Sequence, residues 1–260
     1  MIAFAAIAPH GDPAFVEGSP TRTALEEAGR RLEAAAPEVT VVLTPHNVHV
    51  EGSVGVVVAA TLAGRLDEPG LELELTIETD RALAARILAA LRSAGLPAAG
   101  LSFGSNDPAL AEHPLDWGAL IPLWFLGRDT RPVVLVSPAR ELSLAEHVRA
   151  GAAIAAACEG RRVALVASAD HGHAHDPAGP FGFHPAAADY DARVVGNVRE
   201  QRLGDVLALE AIVEDAKADS LWQLAMLHGA LGDAYAAELL SYEAPTYFGL
   251  LVATYVPRAA

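Results

Sequence analysis

One arrangement, which occurs twice near the start of the chain, constrains the fold most: a short, continuously apolar run that ends in Pro-His. The first run spans residues 2–8 and leads to His10, and the second spans 39–43 and leads to His46. Runs of this kind are typical of strands buried on both faces of a sheet. Helical periodicity separates them, and strands joined through a helix are parallel, with their carboxyl ends at one edge. The sequence therefore predicts that His10 and His46 lie close together.

Helices are predicted where apolar residues recur at helical spacing behind a capping signal. Thr23 with Glu26, and Ser143 with Glu146, each have the Ser/Thr-x-x-Glu pattern of a capping box. A further helix is predicted over 80–93. These helices alternate with apolar runs, which is typical of an α/β fold.

Further strands are predicted along the chain. Buried-type runs lie at 132–136 and 163–167. The runs 53–62 and 71–77 predict a hairpin near a sheet edge, because the second alternates apolar with polar residues.

The last part of the chain is predicted to be mostly helical from Pro185 to about Leu240, before a final strand over 248–256. The length of 260 residues fits one hydrophobic core. We therefore expect residues 1–260 to form a single α/β domain, with a central mixed, largely parallel sheet flanked by helices.

Charge and composition restrict the partners. The formal net charge is −15 and Lys217 is the only lysine, so the surface repels nucleic acid and anionic membranes. No apolar run reaches the ~18–20 residues of a membrane span, and the N-terminal run has no basic leader, so we expect a cytoplasmic protein. The single cysteine, Cys158, excludes an internal disulfide. A closed homo-oligomer is expected because most oligomers are of this kind.

Histidine follows three predicted strands at their carboxyl ends. Besides His10 and His46, the segment 168–176, SADHGHAHD, comes directly after the strand at 163–167. Ligand sites of open α/β sheets lie outside these ends. Taken singly, each histidine could be an ordinary loop residue and Glu243 an ordinary surface carboxylate, but the joint pattern favours a site.

Five motifs in order resemble a known family. They are PHG at 9–11, TPHN at 44–47, SADHGHAHD at 168–176, PFGFHP at 180–185 and SYEAP at 241–245. Together they are similar to the class III extradiol ring-cleavage dioxygenases, over nearly the whole chain. The family includes the catalytic beta subunit of protocatechuate 4,5-dioxygenase, the plant DOPA dioxygenases and the non-dioxygenase Memo proteins.

The resemblance implies a mononuclear iron(II) site. Carried over residue by residue, the family's metal ligands fall on His10, His46 and Glu243. Two imidazoles and one carboxylate leave open positions on the iron, where a catecholic substrate and O2 bind.

The resemblance also implies a catalytic histidine, which falls on His173, with proton transfer to and from the substrate hydroxyl as its role. Asp170 is expected to orient the loop or to support His173. His171 and His175 match no family position, and we interpret them as solvent-facing neighbours in the loop.

The sequence departs from the family at Trp117, where many relatives have a histidine beside the substrate. An indole cannot accept a proton, but it can stack on a ring or donate one hydrogen bond. Either His173 acts alone, or His113 or His49 supplies the missing function, or the chemistry differs. Trp117, His113 and His49 are therefore candidate substrate-binding residues, with core packing as the alternative for Trp117.

The leading hypothesis is an extradiol dioxygenase that cleaves a catechol- or aminophenol-type ring and takes part in aromatic compound catabolism. One alternative is a zinc-dependent hydrolase that uses the same ligands. Another is a Memo-like protein with a redox or partner-binding role, although Memo proteins carry cysteine where this chain has Glu243. Arg22 is one candidate for binding an acidic substrate, and some relatives need a second, different subunit.

Overall fold

The computed structural model describes residues 1–68, 71–127 and 131–258. In these residues it has eleven strands: β1 (Ile2–Ala8), β2 (Val39–Leu43), β3 (Val54–Val57), β4 (Thr61–Glu68), β5 (Leu71–Glu78), β6 (Ala98–Leu101), β7 (Glu112–Pro114), β8 (Val133–Ser137), β9 (Val163–Ser168), β10 (Tyr235–Glu243) and β11 (Leu250–Pro257). The α-helices described are α1 (Pro20–Ala35), α2 (Arg81–Ser93), α3 (Trp117–Phe125), α4 (Leu144–Ala157), α5 (Pro185–Arg199), α6 (Val213–Ala216) and α7 (Leu221–Leu231). Short 3-10 segments occur at Asp12–Phe15, Pro108–Leu110 and Leu203–Ile212.

Eight strands form one mixed sheet in the order β10-β11-β1-β9-β2-β8-β3-β6. The central strands β1, β9, β2 and β8 are parallel, β11 runs antiparallel to β1, and β3 runs antiparallel to β8. A separate three-stranded sheet has the order β5-β4-β7. The predicted fold class, an α/β domain with a central mixed and largely parallel sheet, is confirmed.

The parallel relation of β1 and β2 is also confirmed, with β9 lying between them. Ala8 at the end of β1 pairs with Ser168, and Leu43 at the end of β2 pairs with Ala167. The three histidine-bearing ends are therefore adjacent at one edge of the sheet.

Two cores cover the two faces of the large sheet. One contains buried residues of α2, α4, α5 and α7, and the other contains those of α1, α3 and the three-stranded sheet. In β1, Ala5 and Ile7 face the first core while Phe4 and Ala6 face the second, which is the alternation of a strand buried on both sides.

The starts of two helices test the capping predictions. Ser143 and Glu146 form the predicted capping box at α4. The box of Thr23 and Glu26 is wrong, because α1 begins one turn earlier: Ser19 is the N-cap and accepts from the Arg22 amide, with Pro20 in the first turn.

The hairpin is formed by β4 and β5, so the prediction of one strand over 53–62 is wrong. That run divides, with Val54–Val57 in the large sheet and Thr61 starting the small one. β10 also corrects the prediction of helix to Leu240. Its alanine and leucine residues suit a helix, but pairing along β11 overrides this local preference. Among the described residues, every helix is too short or too polar to reach across a bilayer.

Candidate metal centre and active-site cavity

Three side chains that could together hold a metal ion converge at the carboxyl edge of the large sheet: His10, His46 and Asp219. The two Nε2 atoms are 2.9 Å apart. The Oδ2 atom of Asp219 lies 3.3 Å from Nε2 of His10 and 3.4 Å from Nε2 of His46. The prediction that His10 and His46 lie together is met by this geometry.

The hydrogen bonds of His10 assign its tautomer. The Ser168 hydroxyl donates its single hydrogen to the Gly118 carbonyl, so its oxygen can only accept from His10. His10 therefore donates from Nδ1 to Ser168, over 3.0 Å. In the neutral ring this leaves a lone pair on Nε2, which is the atom directed at His46 and Asp219. Three acceptor atoms at this spacing repel one another unless a proton or a cation lies between them, so this donor set fits a metal ion.

Asp219 comes from a segment predicted to be helical. The helix is interrupted there, because Lys217 has a left-handed conformation with φ of 53° and α7 begins only at Leu221. Asp-Ser before the apolar run of α7 was the available signal, since such residues commonly precede a helix. That signal marks a helix start and does not show that the start reaches His10, so the sequence analysis missed Asp219.

Glu243, the expected third ligand, is directed elsewhere in this structure. Its Oε1 atom accepts from the Thr21 amide over 3.0 Å and from the Thr21 hydroxyl over 2.6 Å. Thr21 lies in the first turn of α1, where unpaired amides and the helix dipole stabilise a carboxylate. The expectation that Glu243 joins His10 and His46 is therefore corrected: Asp219 supplies the carboxylate of the cluster.

Asp170 holds the backbone of His10. Its Oδ1 atom accepts from the His10 amide over 2.9 Å, and its Oδ2 atom is 3.6 Å from Nε2 of His10. Asp170 is 3% exposed. Asp170 was expected to orient the loop or to support His173; it positions His10, and it also interacts electrostatically with His173.

The charges of this cluster shift one another's pKa values. Burial lowers the pKa of His10, but the Asp170 and Asp219 carboxylates together raise it by more, to about 9 in the metal-free chain. Burial raises the pKa of Asp170, and the charge of His10 offsets this only in part. For Asp219 burial acts in the same sense, yet the nearby imidazoles outweigh it and hold its pKa well below the usual range.

His173 lies on the cavity wall with its ring orientation fixed. Its Nδ1 atom donates to the His171 carbonyl over 2.7 Å, so Nε2 carries the lone pair of the neutral ring. The ring stacks on Phe248, with centroids 5.3 Å apart and planes inclined by 17°. This arrangement suits a group that accepts and returns a proton.

The flanking histidines are not solvent-facing, so that interpretation was wrong. His171 is fully buried, with Nδ1 3.0 Å from the Ser220 hydroxyl, and burial lowers its pKa. His175 is partly buried and donates from Nε2 to the buried Asp191 over 2.8 Å. Asp191 also accepts from the Gly172 amide over 2.7 Å, so both histidines help to hold the loop that carries His173.

Trp117 lines the cavity, so core packing, the alternative to a substrate-binding role, does not describe it. Its side chain is 49% exposed and its ring stacks on that of His46, with centroids 4.5 Å apart. A Cβ atom on the next residue, Gly118, would lie 3.0 Å from the His46 ring and 2.8 Å from the Thr44 hydroxyl. The absence of a side chain at Gly118 thus makes room for the ring of His46.

The other two substrate-binding candidates lie away from the cavity wall. His113 is buried and bonds through Nε2 to the Asn47 side chain over 2.9 Å, so it supports the loop after His46. His49 is exposed and pairs with Glu141 over 2.9 Å. Arg22 bonds to Glu26 and to the Phe15 carbonyl, and it does not line the cavity either.

The cavity above the metal-binding cluster has a volume of about 730 Å³, a size typical of small-molecule sites. Its wall is partly aromatic, with Trp117, Phe181, Tyr247 and Phe248 beside His173. Such a wall fits a flat ring.

Comparisons with known proteins agree with this geometry. Residues 7–253 match the model of a family described as the catalytic LigB subunit of aromatic ring-opening dioxygenase. The chain belongs to the LigB family. This membership confirms the resemblance found in the sequence.

A curated protein and a solved structure are also similar to this LigB-family chain, both at low sequence identity. Protein CA_C1420 from Clostridium acetobutylicum is 24% identical over 234 residues, which cover 86% of this chain and 49% of that protein. The chain thus spans about half the length of that relative. The crystal structure of an uncharacterized protein, JW3007, from Escherichia coli K12 has a TM-score of 0.70 at 21% identity, covering 97% of this chain and 99% of that one. This likeness supports the fold.

Proposed function

We propose that the chain is an iron(II)-dependent extradiol dioxygenase that opens a catechol- or aminophenol-type ring with O2. The observation that carries the proposal is the convergence of His10 Nε2, His46 Nε2 and Asp219 Oδ2 at the floor of the aromatic-walled cavity. Two imidazoles and one carboxylate on one side of a metal, with the other positions open, are the donor set of non-haem iron(II) oxygenases.

Iron(II) held there by His10, His46 and Asp219 would supply a centre that binds the two adjacent ring substituents, hydroxyl or amino groups, together with O2 and passes electrons between them. The chain's own residues orient these partners. Ser168 and Asp170 fix His10 through its Nδ1 atom and its backbone amide. Trp117, stacked on His46, offers an apolar face to the ring and excludes water from one side.

His173 would move the proton. The substrate hydroxyl must lose its proton on binding, and the Nε2 atom of His173 is the acceptor available on the cavity wall, because its Nδ1 hydrogen is given to the His171 carbonyl. The same atom can return the proton to the product. No second cavity-lining histidine takes the place that Trp117 occupies, so His173 acts without a histidine partner among the described residues.

The test is a screen of catechols and aminophenols with protein loaded with iron(II) under anaerobic conditions, started by admitting air. A conjugated ring-opened product should give a new visible absorbance, with one O2 consumed per substrate. His173→Gln should retain bound iron and lose most of the rate, typically 100-fold or more for a general base.

Two results would overturn the proposal. Hydrolysis that proceeds with zinc and without O2 would favour the hydrolase that uses the same ligands. Iron binding with no O2 uptake for any ring tested would favour a Memo-like redox or partner-binding role.

A further inference from the structure

Two cations line the cavity with no carboxylate within ion-pair distance among the described residues. Lys217 is the only lysine of the chain, and Arg140 is one of its arginines. Most arginines whose side chains are described are held by a carboxylate or a backbone carbonyl, as in the pairs of Arg31 with Glu238 and of Arg161 with Glu38. Among the described residues neither Lys217 nor Arg140 has such a partner, although the formal net charge of the chain is −15.

Lys217 lies in the segment that supplies Asp219, and Arg140 packs against that segment. Lys217 precedes Asp219 by two residues, in a left-handed conformation that interrupts the helix. Arg140 lies over the ring of Trp222 in the first turn of α7, with its guanidinium carbon 4.3 Å from the ring centroid. The stacked face of the guanidinium is occupied by the indole, so its edge N–H groups remain for an acceptor.

The other charges of the cavity do not neutralise this pair. Asp219 belongs to the cluster with His10 and His46, and Asp170 lies beside His10, where a bound divalent ion would offset their charge. Asp12 and Glu214 also line the cavity, but neither lies within ion-pair distance of Lys217 or Arg140 in the described structure. A Lys and an Arg that line the same cavity without an ion-pair partner are the groups that commonly bind a carboxylate.

We infer that Lys217 and Arg140 form a subsite for an acidic substituent of the ring substrate. The inference rests on the proposed function and adds to it: the ring carries a carboxylate or a similar anionic group in addition to the two hydroxyl or amino groups that would bind the metal. Because the subsite lies on the segment of Asp219, it fixes which edge of the ring faces the metal. Lys217 and Arg140 thus determine specificity and have no part in the proton transfer.

The test compares binding of two ligands that differ in charge and by a single methyl group: a catechol with an acetic acid side chain and the methyl ester of the same compound. Dissociation constants are measured by calorimetry on metal-loaded protein without oxygen, so that no ring opening is needed. The acid should bind about tenfold more tightly than the ester, as expected for a net gain near 1.4 kcal/mol. Lys217→Gln and Arg140→Gln should each lower this ratio, and the double variant should bring it close to one.

Arg86→Gln is the matched control. Arg86 is exposed, bonds only to the Glu159 carbonyl and lies outside the cavity, so its loss changes the net charge equally and should leave the ratio as in the unmodified protein. Since Arg140 also packs on Trp222, Arg140→Lys serves as a second variant that keeps the charge and loses the planar edge; it should give an intermediate ratio.

Equal binding of acid and ester, or tighter binding of a catechol with an amine side chain, would overturn the inference, the latter in favour of recognition by Asp12 and Glu214. A ratio that falls equally in Arg86→Gln would also overturn it. If the acid is preferred but no ring opens in air, the subsite stands and the proposed reaction fails. If rings open with no preference, the reaction stands and the subsite fails.

Discussion

Replacing Gly151 in α4 by alanine should destabilise the protein strongly, because this glycine lies where α4 and α7 are in direct backbone contact. A Cβ atom there would be 1.8 Å from the Met226 carbonyl oxygen and 2.9 Å from the Ala230 amide nitrogen. The contact is reciprocal, since a Cβ atom on Gly229 would lie 1.9 Å from the Val148 carbonyl oxygen. Neither carbonyl can move without breaking its own helix.

The magnitude follows from two opposing effects. Ordinary contacts begin near 3.4 Å, so the helices would have to separate by about 1.6 Å around the new methyl group. Overpacking of this kind costs about 1–3 kcal/mol or more, and the separation opens packing along the rest of the interface. The higher helix propensity of alanine returns about 1 kcal/mol. We expect the free energy of unfolding to fall by about 2 kcal/mol for Gly151→Ala, which is the upper end of the overpacking cost less the gain in helix propensity.

Urea denaturation followed by circular dichroism measures this change. Gly196→Ala is the matched control, because Gly196 lies inside α5 and no atom lies within 4 Å of an added Cβ atom. That variant should be more stable than the unmodified protein, by up to about 1 kcal/mol. If Gly151→Ala proved as stable as Gly196→Ala, the close approach of α4 and α7 would be refuted.

Three further predictions concern the support of the site and the single thiol. Ser168→Ala removes the acceptor that fixes the tautomer of His10, so metal affinity should fall by about 10- to 100-fold; an unchanged dissociation constant in a metal titration would contradict this. Asp191→Ala leaves one buried and two partly buried donors without their acceptor. The free energy of unfolding should fall by about 3 kcal/mol in urea denaturation, and a loss below about 1 kcal/mol would be inconsistent with the reasoning. Burial raises the pKa of the Cys158 thiol to about 11, so a thiol reagent at neutral pH should label it only as fast as the chain unfolds, and rapid labelling of the folded protein would show that the thiol is accessible.

The sequence predicted the parts of the site that depend on local pattern. Continuous apolar runs and the helix between them were sufficient to place His10 and His46 at one sheet edge, since parallel strands joined by a helix allow no other arrangement. The same reasoning placed the loop of His173 at that edge. The insertion of β9 between β1 and β2 was not predictable in the same way, because strand order depends on long-range packing.

The carboxylate that lies with His10 and His46 could not be predicted from local sequence pattern. Glu243 was assigned through a motif, yet its strand directs the carboxylate to the first turn of α1. Asp219 has no motif, and it reaches His10 because the chain breaks its helix at Lys217 and restarts at Leu221. The segment of β10 was mistaken for helix for a related reason: its pairing with β11 is a long-range contact that outweighs local propensity.

Metal titration of two acid-to-amide variants tests the central claim most directly. The claim is that Asp219, with His10 and His46, binds the metal, while Glu243 caps α1. The unmodified protein should bind one iron(II) per chain. Asp219→Asn should lose affinity by at least about 100-fold, because a neutral amide replaces a charged ligand, whereas Glu243→Gln should bind iron(II) as the unmodified protein does. Retained iron in Asp219→Asn together with lost iron in Glu243→Gln would contradict the account.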